Sequence, residues 1–536
     1  MLKKATNFLL ACLSGVILGL SWYSASYLIF AGFVPLLIAA NNVFLSESKR
    51  KGLKILGLSY LTFIIWNLIA TWWVYCVDFG KEGAVMAFTA NSLLMSSLFL
   101  IWYKTEVRLF RQLKFWLLVP FWLAFEFLHH TWELSWPWLT IGNCFSSTIN
   151  FVQWYEFTGV SGGTLWALSI NILLAKLIIG GKREIKPFVK ILALIFVPIL
   201  ISYAILSVRD IKPEKEINVT VIQPNIDPYN VKFDESFTSQ LNKLHQQLTQ
   251  SSLNKNTELV VLPETFIVAE EGYDINEADF KSSYELNNLL GLMKIHFPNA
   301  SILSGASTMH DFGPGEALSS TARKYGNAEK YYDSYNTAVY IDTNKNVTFY
   351  HKSKLVPGAE IMPFRWLFKY FEQYALELGG TTGSLGIQNT RTVFKDDVFQ
   401  TKIAPSICYE SIYSDFMAQY VRKGAELICI VTNDGWWGNT PGHKQHLSYA
   451  KLRAIETRKQ VVRSANTGIS CFIDEMGRIQ QQQPYWEFAV INQKVELNNI
   501  KTFFVRFGDI ISYASALLTI IILIYSQYLR FKKQTN

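Results

Sequence analysis

A series of apolar segments, each long enough to cross a lipid bilayer, most constrains how this chain can fold. Seven of them fill the first 210 residues, and an eighth lies near the C-terminal end. Their approximate bounds are 6–23, 25–42, 54–77, 83–103, 115–131, 158–180, 187–208 and 508–529. About 20 apolar residues span the hydrocarbon core of a bilayer as an α-helix. The sequence therefore predicts an eight-helix transmembrane bundle and excludes an ordinary soluble protein.

Basic residues in the loops predict the orientation of these segments in the membrane. The formal net charge of +8 could suggest a nucleic-acid partner, but the basic residues alternate from loop to loop. Clusters occur at 3–4, 49–54, 104–114, 182–186 and 530–533, whereas the short loops of the other side carry only Lys81. Because cytoplasmic loops are rich in Lys and Arg, we expect both termini in the cytoplasm. The segment between spans seven and eight then lies outside it, and no nucleic-acid partner is expected.

Cysteine and histidine patterns give no support for a metal or a cofactor. The six cysteines show no paired spacing, which predicts free thiols. His443 and His446 are three residues apart on a predicted helix, but no third type of ligand clusters nearby, so we expect no zinc site. No phosphate-binding glycine loop occurs. We therefore expect neither a metal nor a bound cofactor.

Glu126 lies inside the fifth apolar segment. A carboxyl group within a membrane is a candidate for a functional site, because placing it there is costly. A hydrogen-bonded structural glutamate explains the position equally well. Both interpretations stay open at the level of the sequence.

The composition changes after a polar linker at 209–216. From there to about residue 500, predicted strands alternate with predicted helices, which is typical of a layered α/β domain. The predicted organisation is therefore a membrane domain over 1–210, a soluble domain over 216–500 and a last transmembrane helix over 506–530.

Cys408 follows a short apolar run that reads as a strand. Behind it, Ile412, Phe416 and Tyr420 recur as on one face of a helix. Cys408 therefore lies on the turn into a helix N-terminus, where unpaired N–H groups favour a thiolate. A small core cysteine is the alternative interpretation.

Two charged residues follow other predicted strands, where α/β folds place their chemistry. Glu264 comes after a fully apolar strand and could take a proton from a thiol. Lys352 could lower the pKa of a thiolate and stabilise an oxyanion. Each alone could equally be a solvated surface residue. Together with Cys408 they form a sufficient set for acyl transfer.

Three motifs resemble the nitrilase superfamily. They are Leu-Pro-Glu264-Thr, Lys352-x-x-Leu-Val-Pro with Glu360 behind it, and Cys408-Tyr-Glu. Similar segments begin at Asn433 and Gln445. Joined to eight spans with the large domain outside, the chain resembles the apolipoprotein N-acyltransferase family of bacterial inner membranes over nearly its whole length.

This resemblance implies a periplasmic nitrilase-like α-β-β-α sandwich carried on the membrane bundle. It also implies the last acylation of bacterial lipoproteins. The sn-1 acyl chain of a phospholipid would pass to Cys408 as a thioester, and then to the free α-amine of a diacylglyceryl-cysteine N-terminus. Glu264 would be general base and then acid, Lys352 would stabilise the oxyanion, and the chain would work as a monomer.

The resemblance also implies residues around this triad. Glu360 would support Lys352, and the pocket positions would be Tyr409, Glu410, Trp436 and Phe233. Two departures from the family pattern occur. Gly358-Ala359 stands where the family has Phe-Gly, and Phe233 stands where it has Trp.

Two other functions would use the same features. A membrane-tethered amidase would pass the acyl group to water, although eight spans are an extravagant tether for such an enzyme. A transporter or sensor would only bind a ligand in the outer domain, but the lack of internal repeats and the complete triad speak against it.

Overall fold

The computed structural model describes residues 2–77, 81–181, 185–232, 235–269, 274–364 and 384–535. The chain divides into two compact units. One consists of Met1–Tyr75, Lys81–Arg209 and Phe507–Asn536, and the other of Cys76–Gly80 and Asp210–Arg506. The first, called the membrane unit here, is helical in the parts described. The second, the catalytic unit, contains the two β-sheets.

The membrane unit is built from nine described helices. They are α1 (Leu2–Leu20), α2 (Ile29–Gly32), α3 (Val34–Leu45), α4 (Lys51–Thr71), α5 (Lys81–Phe110), α6 (Leu118–Thr131), α7 (Tyr155–Gly180), α8 (Ile185–Val208) and, after the catalytic unit, α14 (Ile510–Thr535). Among the residues described, six helical stretches are long and apolar enough to cross a membrane. The predicted number of eight spans stays a prediction, because the helices in segments one and five are shorter.

The second apolar segment is not one continuous helix. A 3-10 turn over Ser26–Leu28 leads into α2, and α3 begins anew with Pro35 in its first turn. Proline has no N–H to donate within a helix, so it is tolerated at such a start and not further inside.

Glu126, on α6, is 5% exposed and fully hydrogen-bonded. Its carboxyl group accepts from the backbone N–H of Ile141 at 2.8 Å, from Trp122 Nε1 at 3.1 Å and from Thr164 Oγ1 at 2.7 Å. All three donors are neutral and come from different parts of the membrane unit. This arrangement favours the structural interpretation of Glu126.

The catalytic unit contains two sheets and five described helices. Its helices are α9 (Phe237–Thr249), α10 (Tyr284–His296), α11 (Ser414–Arg422), α12 (Pro441–Thr457) and α13 (Phe503–Phe507). The strands of the first sheet are β1 (Lys215–Gln223), β2 (Leu259–Val261), β3 (Ile275–Asn276), β4 (Ser301–Asp311), β5 (Arg323–Lys324), β6 (Tyr331–Ile341), β7 (Val347–His351) and β14 (Ala489–Leu497). Those of the second are β8 (Phe394–Asp396), β9 (Thr401–Ile407), β10 (Leu427–Thr432), β11 (Val461–Ala465), β12 (Cys471–Ile473) and β13 (Ile479–Gln482).

The two sheets form the centre of a four-layer α-β-β-α sandwich. The first has the order β14-β1-β2-β4-β6-β5, with β3 beside β4 and β7 beside β6, and the second runs from β13 to β8 in reverse chain order. Strands β9, β10 and β11 are parallel, as are β1, β2 and β4. Helices α9 and α10 bury their apolar sides on the first sheet, and α11 and α12 pack on the second. The predicted nitrilase-like sandwich is thereby confirmed.

Candidate active site

Cys408 follows directly on β9 and begins a 3-10 helix over Cys408–Ile412. Its backbone φ is +50°, which is uncommon for a residue with a side chain and is tolerated only where surrounding contacts hold it. Two such contacts lie in the turn itself. The Ser411 hydroxyl donates to the Cys408 carbonyl at 2.8 Å, and the backbone N–H of Ile407 donates to Glu410 at 2.8 Å.

Glu264, Lys352 and Glu360 form one cluster, in which the first two are buried and Glu360 is partly exposed. The Lys352 ammonium lies 3.1 Å from Glu264 Oε1 and 2.8 Å from Glu360 Oε1, and Lys352 is only 1% exposed. Glu360 is fixed in turn by the backbone N–H of Val356 at 2.8 Å. The structure thus brings together the lysine and both carboxylates that the sequence placed far apart.

Asn336 is a further member of this cluster that sequence reasoning missed. Its side-chain NH₂ donates to Glu264 at 2.8 Å and to Glu360 at 3.2 Å, while its backbone carbonyl accepts from the N–H of Lys352 at 2.8 Å. The second oxygen of Glu264 accepts from the backbone N–H of Asn433 at 3.0 Å. The only signal in the sequence for Asn336 was its position, a polar residue at the start of the mostly apolar stretch 337–341.

Burial and the neighbouring Glu264 carboxylate favour the thiol form of Cys408. Burial raises the pKa of the Cys408 thiol, and Glu264 raises it further, outweighing the opposite effect of Lys352. The expectation that the turn alone favours a thiolate is therefore wrong. Burial would by itself lower the pKa of Lys352, but Glu264 and Glu360 raise it well above its usual value. The site thus presents a fixed ammonium and a thiol that needs a base.

The backbone at Glu264 is held as tightly as its side chain. Thr265 has a φ of +47°, and β4 approaches so closely that a Cβ on Gly305 would lie 2.3 Å from the Thr265 nitrogen and 2.5 Å from the Glu264 Cα. Only glycine fits there. Lys232, which is 4% exposed, donates to the Glu264 carbonyl at 3.4 Å and also to the Thr265 hydroxyl. Burial lowers the pKa of Lys232 to about 8.

Glu410 lies behind the site and links the segments that carry Lys352 and Cys408. It is completely buried. One oxygen accepts from the Tyr350 hydroxyl at 2.6 Å and from the backbone N–H of Ser353 at 2.6 Å, and the other accepts from Ile407. This predicted pocket residue is therefore a structural link between two strand ends.

The other predicted pocket residues are placed as follows. Tyr409 is buried with its ring against Tyr413, the centroids being 5.4 Å apart. Trp436 follows β10, and its ring packs edge-on against that of Tyr229 at 5.2 Å. Phe233 lies outside the residues that the structure describes. Gly358, one of the two family departures, has a φ of +82°.

The chemistry available here is that of acyl transfer. Within the described parts of the chain, no group of three or more His, Cys, Asp or Glu side chains could hold a metal ion. The cluster supplies a carboxylate that can take a proton, an ammonium that can stabilise an oxyanion and a thiol that can attack.

Two family descriptions match this chain. Residues 218–503 match the carbon-nitrogen hydrolase family, and residues 14–173 match the apolipoprotein N-acyltransferase N-terminal domain. An apolipoprotein N-acyltransferase of Chlorobaculum tepidum is 28% identical, over 94% of this chain and 94% of the relative. One of Geobacter metallireducens is also 28% identical, over 95% and 93% respectively. Among solved structures, Saccharomyces cerevisiae Nit3 of the nitrilase superfamily is 15% identical, covering 54% of this chain and 93% of its own, with a TM-score of 0.36.

Proposed function

This chain belongs to the carbon-nitrogen hydrolase family and, within it, to the apolipoprotein N-acyltransferases, and we propose that it works in two acyl-transfer steps through a thioester on Cys408. The observation that carries the proposal is the contact of Lys352 with Glu264 at 3.1 Å, beside a thiol whose pKa both residues affect. Base, cation and nucleophile thereby lie in one site. A thioester suits the reaction, because an amine attacks it readily.

In the first step, a phospholipid gives up its sn-1 acyl chain. The sulfur of Cys408 attacks the ester carbonyl carbon while its proton passes to Glu264. The electron pair of the C=O bond moves to oxygen, and the Lys352 ammonium stabilises that negative charge. When the C=O bond re-forms, the bond to the glycerol oxygen breaks. That oxygen takes the proton from Glu264, and the lysophospholipid leaves.

In the second step, the α-amine of a diacylglyceryl-cysteine N-terminus attacks the thioester carbonyl carbon. Glu264 takes a proton from the amine, and Lys352 again stabilises the oxyanion. The C–S bond breaks, and the sulfur recovers its proton from Glu264. The products are the free thiol and an amide, which completes the triacylated lipoprotein.

The remaining site residues serve this centre. Glu360 holds Lys352 in place at 2.8 Å, and Asn336 spaces the two carboxylates by donating to both. Tyr409 and Trp436 would line the pocket for the acyl chain. Phe233, the other pocket residue expected from the sequence, lies outside the described residues. The partners are thus a phospholipid donor and a lipoprotein acceptor, with no cofactor.

The chain is a membrane protein, and the alternating loop charges support a finer placement. The catalytic unit lies in the periplasm, both termini lie in the cytoplasm, and the inner membrane holds the apolar helices. The phospholipid donor and the lipoprotein acceptor both carry acyl chains that insert into that membrane. We expect the chain to act as a monomer.

The test is the intact mass of the purified protein, in detergent, after incubation with phospholipid alone. One added acyl chain should appear, should be absent in Cys408→Ser and should be released by neutral hydroxylamine. A diacylglyceryl peptide with a free α-amine should then remove it, whereas the same peptide with an acetylated amine should not. If the adduct is lost in buffer as fast as with the peptide, the result would contradict the transferase and favour the amidase. If no adduct forms at all, the result would contradict the thioester.

A further inference from the structure

A buried group of ionisable side chains contacts the turn of Cys408 at its backbone carbonyl. It consists of Asp434, His446 and Arg463, whose side chains are at most 1% exposed. Asp434 follows β10, His446 lies on α12 and Arg463 lies on β11. The two acyl-transfer steps above use none of the three.

The imidazole of His446 bridges this group to the nucleophile. Its Nδ1 lies 2.9 Å from a carboxylate oxygen of Asp434, and its Nε2 lies 3.1 Å from the backbone carbonyl oxygen of Cys408. The Cys408 carbonyl can only accept a hydrogen bond, so Nε2 donates to it. Arg463 Nη2 lies 3.2 Å from Nδ1, beside the Asp434 contact. Ser411 donates its own proton to the same Cys408 carbonyl, so its oxygen, 3.0 Å from Nε2, can accept as well.

Asp434 is itself fixed, which fixes the ring. Arg463 lies 2.5 Å from its second oxygen, and the Thr432 hydroxyl donates to the first at 2.9 Å. Arg463 also donates to the carbonyl of Ile469 at 2.6 Å. Burial would by itself raise the pKa of Asp434, but Arg463 and His446 lower it strongly, so the carboxylate stays charged. The direction in which His446 points is therefore set by β10 and β11.

The Cys408 carbonyl belongs to the same rigid peptide plane as the N–H of Tyr409. The peptide bonds described contain no cis bond, so the carbonyl and the following N–H point in opposite directions. Two donors that hold the carbonyl toward His446 and Ser411 therefore direct the N–H to the opposite side. The backbone N–H after a nucleophile is a frequent donor to the oxyanion in acyl transfer, and its alignment decides its value.

We propose that His446 is a positioning residue, which orients the Cys408–Tyr409 peptide so that the Tyr409 N–H supports the acyl oxyanion together with Lys352. The inference deepens the proposed function and relies on Cys408 being acylated. It does not depend on which ester is the natural donor. His446 touches neither substrate and acts only through the backbone of Cys408.

Two substitutions separate this role from simple packing. In His446→Gln the side-chain NH₂ can reach the position of Nε2 and donate to the Cys408 carbonyl. In His446→Asn the shorter NH₂ can reach only the position of Nδ1 and Asp434. Both variants lose the imidazole ring, so they serve as matched controls for each other. Thermal unfolding measures what each loses in stability.

The rate of acylation is followed with two donors, a phospholipid by intact mass and a p-nitrophenyl ester by the burst of p-nitrophenolate. His446→Asn should slow acylation by both donors about 10-fold or more, because losing one hydrogen-bond donor to the oxyanion lowers the rate about 10²–10³-fold. His446→Gln should stay within about threefold of the unaltered protein if the carbonyl contact is what matters. Alkylation of Cys408 by iodoacetamide forms no oxyanion, so its rate should hardly change in either variant.

Equal losses of acylation rate in His446→Gln and His446→Asn would overturn the inference, because loss of the ring and its packing would then explain them. Loss of alkylation in step with acylation would overturn it too, since the thiol itself would be displaced. If the p-nitrophenyl ester acylates Cys408 and the phospholipid does not, phospholipid is excluded as the donor. The comparison of His446→Gln with His446→Asn then still tests the role of His446. No burst in the unaltered protein would contradict both proposals.

Discussion

Glu126 in the membrane unit and Glu264 in the catalytic unit are both buried, but their surroundings differ in charge. Glu126 and Glu264 are 5% and 6% exposed. Glu126 accepts from three neutral donors, whereas Glu264 lies against the ammonium of Lys352 and next to a thiol. Burial alone therefore does not make a carboxyl group catalytic. It becomes a base when a partner that can release a proton lies beside it.

The difference also shows what each carboxyl group holds together. The donors to Glu126 come from α6 itself, from the segment after it and from α7, so the group braces one part of the membrane unit. Glu264 lies where the end of β2 meets Lys352 and Asn433, and its surroundings are charged. The same side chain thus braces one unit and, in the proposed reaction, would carry a proton in the other.

Replacing each glutamate by glutamine tests the comparison most directly. Glu264→Gln should slow formation and breakdown of the thioester by about 10³, since an amide cannot take the proton of Cys408. Glu126→Gln keeps a carbonyl acceptor. The acylation rate per folded molecule should stay within about threefold of that of the unaltered protein, because at most a neutral hydrogen bond is lost. Adduct mass against time measures both. A comparable loss in Glu126→Gln, with folding intact, would show that the membrane carboxyl group takes part in the reaction.

The lysine buried behind Glu264 gives a prediction about pH. Burial lowers the pKa of Lys232 from 10.5 to about 8 in the folded chain. Between these values the unfolded chain binds more protons than the folded one, so the free energy of unfolding rises with pH. The gain should reach about 3 kcal/mol across that range, at 1.36 kcal/mol for each pH unit.

Unfolding midpoints of the unaltered protein and of Lys232→Met, measured in steps from pH 7 to 10.5, check this effect. The unaltered protein should gain stability relative to the variant only above about pH 8, where the folded lysine releases its proton. Parallel curves would mean that Lys232 keeps its charge in the folded site.

Glu126→Leu sharpens the structural half of the comparison. Leucine leaves three buried donors without an acceptor, and the membrane unit should lose about 2 kcal/mol or more of stability. Acylation of Cys408 per folded molecule should not change. The midpoint of thermal unfolding in detergent measures the loss, with Glu126→Gln as the milder control. An unchanged midpoint would remove the bracing role.

Asn336→Leu should have the smallest effect of this series. It removes the donor shared by Glu264 and Glu360 but keeps Lys352 between them, so acylation should slow by about 10-fold, the value of one hydrogen bond to a charged group. Asn336→Ser, which can still donate to one carboxylate, should fall between. Equal rates in both variants and the original protein would place Asn336 outside the working site.

The sequence was sufficient to name Glu264, Lys352 and Cys408 as candidates, because each comes after a strand, strand ends meet at one edge of a sheet, and their motifs resemble a known family. Asn336 and His446 could not be found in this way. Asn336 lies inside a strand, and His446 lies on a helix 38 residues after Cys408, so only the packing of the sheets brings them to the site. The protonation of Cys408 was likewise out of reach, since it depends on how deeply the turn is buried.

The membrane unit shows the same limit. Hydrophobic segments predicted where its helices occur, but the second segment breaks into α2 and α3, and α6 spans only Leu118–Thr131. Length and composition fix how much apolar surface a segment carries. They do not determine the residue at which side-chain packing ends one helix and begins the next.

The link made by Glu410 has a consequence for how this enzyme must choose its acceptor. One buried carboxylate accepts from Ser353, next to Lys352, and from Ile407, next to Cys408. The distance between cation and sulfur is thus set by the scaffold, and bound lipid cannot tune it. Such a centre presents the same base and the same cation to an attacking amine and to attacking water. Selection against hydrolysis must therefore come from what the surrounding chain admits, so that the fidelity of the transfer is a property of entry and exit rather than of the reacting groups.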